Sequence, residues 1–295
     1  MDGIVNVDKP LGITSHDVVY RLRRILKTKK IGHTGTLDPE ASGVLPMCVG
    51  RGTKLAEYLT AADKQYMARL QLGAFTDTQD ASGEILERFQ VDVTEERIYD
   101  AVKSFTGDIL QIPPMFSAIN IDGKKLYELA REGKTVEREP RKITIHKIEI
   151  KNIDLEKSCV DMLVDCSKGT YIRTLCNDIG AYLGCGGYMS ALRRTKSGRF
   201  EIEKSYTLEE IERMADAQDF GFLVPVGEAL SEYKKIVLAE RNANKVRNGI
   251  KISVEGLAEG EIYRVFDEKN RFLALAQQDQ GRFKIIKAFY GGVEI

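Results

Sequence analysis

The chain is poor in several residue types and patterns, and each shortage removes a class of chemistry. It holds only three histidines, at positions 16, 33 and 146, and five cysteines at irregular separations: Cys48, Cys159, Cys166, Cys176 and Cys185. No Cys-x-x-Cys pair occurs, so a zinc site lacks its usual ligands and no metal is expected. Unpatterned cysteines in odd number read as buried free thiols in a reducing compartment. No apolar run approaches the length of a membrane span. Met1-Asp2-Gly3-Ile4-Val5 carries no basic leader ahead of an apolar stretch, which predicts a cytoplasmic protein. Gly50-Arg51-Gly52-Thr53-Lys54 lacks the spacing of a nucleotide phosphate loop. Dinucleotide fingerprints, internal repeats and low-complexity segments are missing as well.

Net charge is also missing, with 44 basic residues against 44 acidic ones, whereas nucleic-acid binders are often basic. The distribution is uneven, however. Residues 1–54 hold nine Lys/Arg against five Asp/Glu, residues 168–204 seven against three, and residues 111–147 eight against five. Acids in 84–100 offset this excess elsewhere. Positive charge is therefore concentrated in three stretches, a distribution compatible with an RNA-binding face and not by itself proof of one. With 295 residues, 43% apolar and 30% charged, the composition is that of a soluble globular protein with one large core and room for a second small domain.

Local patterns predict a mixture of strands and helices. Gly3–Asp8 reads as a strand, and Thr14-x-x-Asp17 as a capping box before Val18, Leu22, Ile25 and Leu26 at helical spacing. Arg21, Arg23, Arg24, Lys27, Lys29 and Lys30 lie opposite that apolar stripe. Tyr66–Leu72 alternates as a strand, and Thr94 opens a helix with Ile98, Ala101, Val102 and Phe105 on one face. Asp122-Gly123 marks a tight turn. Two strands, Ile143–Ile153 and Cys159–Cys166, precede a helix from about Thr170 to Leu183, and Thr207-x-x-Glu210 caps another. Without a steady βαβ alternation, the class is α+β with a largely antiparallel sheet. After Pro225–Leu230 the composition shifts to short strands, Ile262–Phe266, Phe272–Ala276 and Phe283–Ile286, separated by Gly/Asp/Asn turns.

The most informative segment is Gly32-His-Thr-Gly-Thr-Leu-Asp-Pro-Glu-Ala-Ser-Gly-Val-Leu-Pro46. Pro39 biases Asp38 toward an extended conformation, and the glycines permit sharp turns and close approach by a bulky partner. A lone acid on such a loop suits nucleophilic or base chemistry; an ordinary Asp-Pro turn is the competing reading. Asp77-Thr78-Gln79-Asp80 reads equally as a polar group near a pocket and as a solvated acidic turn. Its spacing departs from a calcium loop.

Six strings occur in one order: Val7-Asp8-Lys9-Pro10, the Asp38 loop, Lys64-Gln65-Tyr66, Gln111-Ile-Pro-Pro-Met-Phe-Ser-Ala118, Gly169-Thr-Tyr-Ile-Arg-Thr-Leu175 and Ala191-Leu-Arg-Arg-Thr195. Together they resemble the TruB family of tRNA pseudouridine synthases over nearly the whole chain. The resemblance implies the pseudouridine-synthase fold over residues 1–230, with a thumb-like insertion at about 120–145. It also implies a small β-rich PUA-like domain over 231–295. The implied activity is isomerisation of the uridine at position 55 in the tRNA T loop, with no cofactor, no metal and no obligate protein partner, by a monomer.

On this resemblance Asp38 is the catalytic carboxylate. Attack on the sugar carbon, attack on the uracil ring and abstraction of a ribose proton are all open to it, and each needs the ionised form. Arg173 is the implied cation beside it, favouring that form. Tyr66 would stack on the extracted uracil and serve proton transfer, with Tyr171 and Leu192 as further pocket walls. His33 would contact substrate, and Lys9 and Pro10 would support the loop from beneath. Candidate RNA backbone contacts are Arg193, Arg194, Lys196, Lys124 and Arg141. Two other classes remain open: a non-catalytic RNA-binding or RNA-folding protein, and a guide-RNA-dependent synthase of a ribonucleoprotein.

Overall fold

The structure, a computed structural model, describes residues 1–121 and 123–290. Asp122 of the expected turn and residues 291–295 of the expected second domain lie outside the described residues. In chain order, β1 (Gly3–Lys9) leads through α1 (Ser15–Ile25) to β2 (Ile31–His33) and β3 (Ala41–Val49). A 3-10 turn at Gly50–Leu55 and α2 (Ala56–Ala61) precede β4 (Lys64–Leu72) and the small hairpin β5 (Ala74–Thr76) and β6 (Ile85–Arg88). Next come α3 (Glu95–Ser104), β7 (Gly107–Gln111), the short pair β8 (Asn120–Ile121) and β9 (Lys124–Lys125), and α4 (Leu126–Arg131). The long pair β10 (Arg141–Asp154) and β11 (Cys159–Cys166) follows, then α5 (Ile172–Leu183), β12 (Gly187–Ser197), β13 (Phe200–Glu201), α6 (Leu208–Asp216) and β14 (Leu223–Val224). The tail comprises β15 (Lys234–Leu238), α7 (Glu240–Arg247), β16 (Ile262–Asp267), β17 (Phe272–Asp279) and β18 (Arg282–Ala288).

Ten strands form one sheet in the order β14-β1-β3-β12-β4-β11-β10-β7, with β2 and β13 attached to β3 and β12. Every pairing in it is antiparallel except one: β3 and β12 run parallel, Leu192 opposite Ala41 and Arg194 opposite Gly43. Gly43 has a positive φ of +103°, and a Cβ there would sit 2.2 Å from the Arg194 carbonyl oxygen, so this seam requires glycine.

The helices form where their sequence signals stand. Thr14 caps α1, its hydroxyl accepting from the Asp17 amide at 3.0 Å while the Asp17 carboxylate accepts from the Thr14 amide at 2.8 Å. Val18, Val19 and Leu22 then face the sheet, as do Ile98 and Val102 of α3, Ile172, Leu175 and Ile179 of α5, and Ile211 of α6. Gly180 brings α5 against β12, since a Cβ there would lie 2.2 Å from the Gly187 amide nitrogen.

Two features differ from the pattern reading. The excursion between β7 and β10 ends at 140, because Arg141–Ile145 is already paired with β7. The tail is not all strand: α7 buries Ala243 and Val246 against β16 and β17. A separate cluster joins the tail to the main sheet, placing Leu275 and Phe289 with Ile4, Leu55 and Leu59. Each such fully buried side chain contributes about 1.5–3 kcal/mol.

Candidate active site

The Asp38 loop connects β2 to β3 and is pinned from several sides. The Ser15 hydroxyl donates to the Leu37 carbonyl at 3.0 Å and accepts from the Leu37 amide at 2.8 Å. The Thr34 hydroxyl donates to the Pro46 carbonyl at 3.1 Å, and the Ala41 amide to the Asp38 carbonyl at 3.0 Å. Beneath the loop lies Lys9, fully buried, whose ammonium donates to the carbonyls of Pro10 and Ile13 at 2.8 Å and of Pro39 at 3.5 Å. Burial pulls the Lys9 ammonium down to about 8, opposed by the charges of Asp38 and Glu40. Pro10 itself is exposed and contributes its carbonyl.

Asp38 keeps 41% of its side chain exposed, and its Oδ2 stands 3.2 Å from Nε of Arg173. That guanidinium, only 8% exposed, belongs to the first turn of α5. It also faces Oδ2 of Asp80 at 3.5 Å and donates to the carbonyls of Phe116 at 2.9 Å and Thr78 at 3.3 Å. Arg173 thus spans two carboxylates and two backbone carbonyls, which fixes the plane it presents to Asp38.

Of the two readings of Asp77–Asp80, the solvated turn does not hold for Asp80, which is 6% exposed. Its Oδ1 accepts from the hydroxyls of Thr78 at 2.7 Å and Ser82 at 2.6 Å and from the Ser82 amide at 3.0 Å. Backbone bonds of 3.0 Å between Gln79, Ala81 and Met189 dock the turn on β12. The alternation Thr78-x-Asp80-x-Ser82, hydroxyls flanking an acid, was the available signal. A residue given no role by the sequence reading is Gln111, whose amide exchanges two hydrogen bonds with the Tyr171 backbone at 2.8 and 3.1 Å and so holds the entry to α5.

Tyr66 is buried on β4, and burial pushes its hydroxyl up; the Arg194 guanidinium, through its charge and a hydrogen bond, opposes that shift. The charge of Asp38 also acts on it. Lys64, at the head of the same strand, donates to the Thr60 and Ala62 carbonyls at 2.6 and 2.5 Å, satisfying the end of α2. His33 is half-buried; burial, with His16 and Arg194 nearby, lowers its pKa. Its Nδ1 accepts from the Gly35 amide at 3.4 Å, so the neutral ring carries its proton on Nε2. Leu192 and Asp80 line an open cleft of about 860 Å³ that continues past Met67, Met189 and Ser82. Asp38, Tyr66 and Arg173 do not line this space; it adjoins their cluster on the Asp80 and Leu192 side.

The candidate phosphate contacts divide. Arg193 is exposed and bonds to Asp8 at 2.7 Å and Ser42 at 3.2 Å. Lys124 pairs with Glu132 at 3.2 Å and Lys196 with Glu201 at 3.0 Å; Arg141 is exposed at the start of β10. Arg194 corrects the expectation: it is 2% exposed and faces the interior. Successive side chains of a strand point to opposite faces, so Arg193 and Arg194 cannot both reach an RNA backbone. Among the described residues no group of three or more His, Cys, Asp and Glu side chains is arranged to hold a metal ion. No helix among them is long and apolar enough to cross a membrane.

Known proteins resemble the chain in both sequence and fold. Residues 23–172 match the N-terminal domain model of TruB family pseudouridylate synthases, and residues 173–231 match the tRNA pseudouridylate synthase B C-terminal domain. A tRNA pseudouridine synthase B of Clostridium kluyveri is 45% identical over 98% of this chain and 100% of its own length. One of Bacillus anthracis is 43% identical over 100% of this chain and 99% of its own. A chain from an H/ACA ribonucleoprotein bound to a substrate RNA containing 2'-deoxyuridine superposes with a TM-score of 0.76 at 26% identity, covering 98% of this chain and 85% of that one. A chain of a Cbf5-Nop10-Gar1 complex gives 0.76 at 28% identity, covering 97% and 84%. With its two matched segments meeting at the very helix turn that carries Arg173, the chain belongs to the TruB family of pseudouridylate synthases.

Proposed function

We propose that the chain isomerises a uridine of tRNA to pseudouridine, the T-loop uridine at position 55, acting as a cytoplasmic monomer without guide RNA, cofactor or metal. The observation that carries this reading is the ion pair between half-exposed Asp38 and buried Arg173 beside an open cleft. The relatives named tRNA pseudouridine synthase B, matched end to end, support the tRNA substrate.

Isomerisation breaks the bond from ribose to uracil N1, turns the base and rejoins it through C5, so the base must stay captive and no redox group is needed. Asp38 is the reacting carboxylate. Arg173 keeps it ionised and oriented, a charge-assisted bond contributing roughly 1.5–3 kcal/mol. Tyr66 stacks on the base, Leu192 and Tyr171 wall the pocket, and His33 contacts the RNA around the extruded nucleotide. Lys9 and the Pro10 carbonyl hold the loop. Extrusion costs stacking energy, which contacts to the surrounding RNA shape and backbone offset. Arg193, Lys196, Lys124 and Arg141 are the phosphate contacts in this reading, and the tail is a second RNA-contacting unit.

The test is to incubate the purified chain alone with one unmodified tRNA transcript and map the modified base. Pseudouridine at the T-loop position is expected. Product only after adding another protein or a guide RNA would favour the ribonucleoprotein reading, and tight binding without product would favour a binder without chemistry.

A further inference from the structure

Arg194 is the largest fully buried side chain among the described residues. It makes no ion pair with a carboxylate among the described residues, and its hydrogen bonds go to two backbone carbonyls. Nε donates to the Val44 carbonyl at 2.6 Å, and Nη2 to the Gly35 carbonyl, in the Asp38 loop, at 3.4 Å. In register Arg194 stands opposite Tyr66 on β4 and opposite Gly43 on β3, so its side chain shares a face with the Tyr66 ring while Gly43 leaves that face open on the other flank. The two side chains are therefore cross-strand neighbours on one buried face, close enough for the guanidinium charge to act on the Tyr66 hydroxyl. A buried cation without a counter-ion is costly, and an apolar side chain would serve the core of a sheet better.

We propose that Arg194 is a positioning residue for pseudouridine formation: one guanidinium ties the Asp38 loop, through the Gly35 carbonyl, to the Tyr66 hydroxyl. A guanidinium has donors and no acceptor. In this tie the Tyr66 oxygen is the acceptor, so the hydroxyl hydrogen turns away from Arg194 and is left for the bound base. The Val44 carbonyl anchors the other edge of the fork, so the loop and the ring keep a fixed separation. This rests on the isomerase reading and extends it to a residue that touches neither RNA nor solvent.

The experiment is a double-mutant cycle between Arg194→Lys and Tyr66→Phe, read as single-turnover rate, tRNA affinity and melting temperature. Arg194→Lys keeps the charge but replaces the planar fork with a point donor. We expect a folded protein with affinity within about threefold of the parent and a turnover loss of about 100-fold, the scale of a small misplacement of reacting groups. In the Tyr66→Phe background the further loss should be well under that, because the shared partner is already gone. Arg194→Gln, which keeps an NH2 donor without charge, serves as the second variant and should behave likewise. A parental rate in Arg194→Lys, or full additivity with Tyr66→Phe, would overturn the proposal. So would failure of both variants to fold, which would make Arg194 a structural residue. A parent inactive on the transcript would instead sink the isomerase reading, and this proposal with it.

Discussion

Among the carboxylates paired with arginine, Asp267 and Asp38 contrast most, and the difference separates a saturated ion cluster from one with capacity left. In the tail, Asp267 has a side chain with no exposure and faces both Arg247 and Arg271, the latter at 2.7 Å. It accepts as well from the amides of Lys269 at 3.1 Å and Arg271 at 2.8 Å. Each of its oxygens accepts from one amide pair or one arginine pair, so its acceptor capacity is used. Asp38 keeps 41% exposure, meets one guanidinium at 3.2 Å, and leaves its other oxygen free of any hydrogen bond among the described residues. Saturation marks the first as a staple for the β16–β17 turn. Incompleteness marks the second as a group with capacity left for a substrate.

The largest effect that would break this contrast is on turnover. Asp38→Asn should cost on the order of 10²–10⁴ in rate, or more, with tRNA affinity and melting temperature largely kept. Single-turnover kinetics beside a binding titration checks it, and a parental rate would remove Asp38 from its role. Arg173→Lys comes next, with a loss of about 100-fold at similar affinity, because a point charge cannot serve Asp38, Asp80 and two carbonyls together. Asp267→Ala should do the reverse: it removes the acceptor of two arginines and two amides and should cost roughly 1–3 kcal/mol of stability, with turnover per folded molecule unchanged. Denaturant melts and rates normalised to folded protein separate the two.

Acid sharpens the same comparison. Burial raises the Asp267 carboxyl, but the Arg271 amide and guanidinium and the charge of Arg247 outweigh it and hold it below the aspartate value of 3.8. The folded state then binds fewer protons than the unfolded one, so this stabilisation is present above pH 3.8 and disappears as pH falls through the folded value. Stability measured below that point should fall less steeply in Asp267→Ala than in the parent. The smallest effect belongs to the exposed cations: Arg193→Ala should lower tRNA affinity a few-fold and reduce the slope of affinity against salt by about one.

Much of the frame was legible in the residues themselves. The capping boxes at Thr14 and Thr207 both form, the second with Glu210 accepting from the Thr207 amide at 2.8 Å. Cys159–Cys166 is a strand with the predicted bounds, and the buried face of α5 is the one its spacing gives. These signals are local, set by periodicity of 2 or 3.6 residues and by side chains reaching backbone three positions away. The Arg194 error was local too. Read as part of a basic run, it looked like a phosphate ligand; placed on β12, alternation puts it on the inner face.

What the amino-acid order determined alone is part of the set of elements, among them the capped helices α1 and α6 and the strand β11, with the loop that presents Asp38 and the motifs by which the family is known. What only the three-dimensional arrangement decided is which charges meet. Asp38, Asp80 and Arg173 lie far apart along the chain, and nothing in the spacing of an acidic turn says that it will dock on β12 facing a helix N-terminus. Ion pairing depends on distance in space and on exclusion of water, and both arise only when β3, β4 and β12 close beside one another.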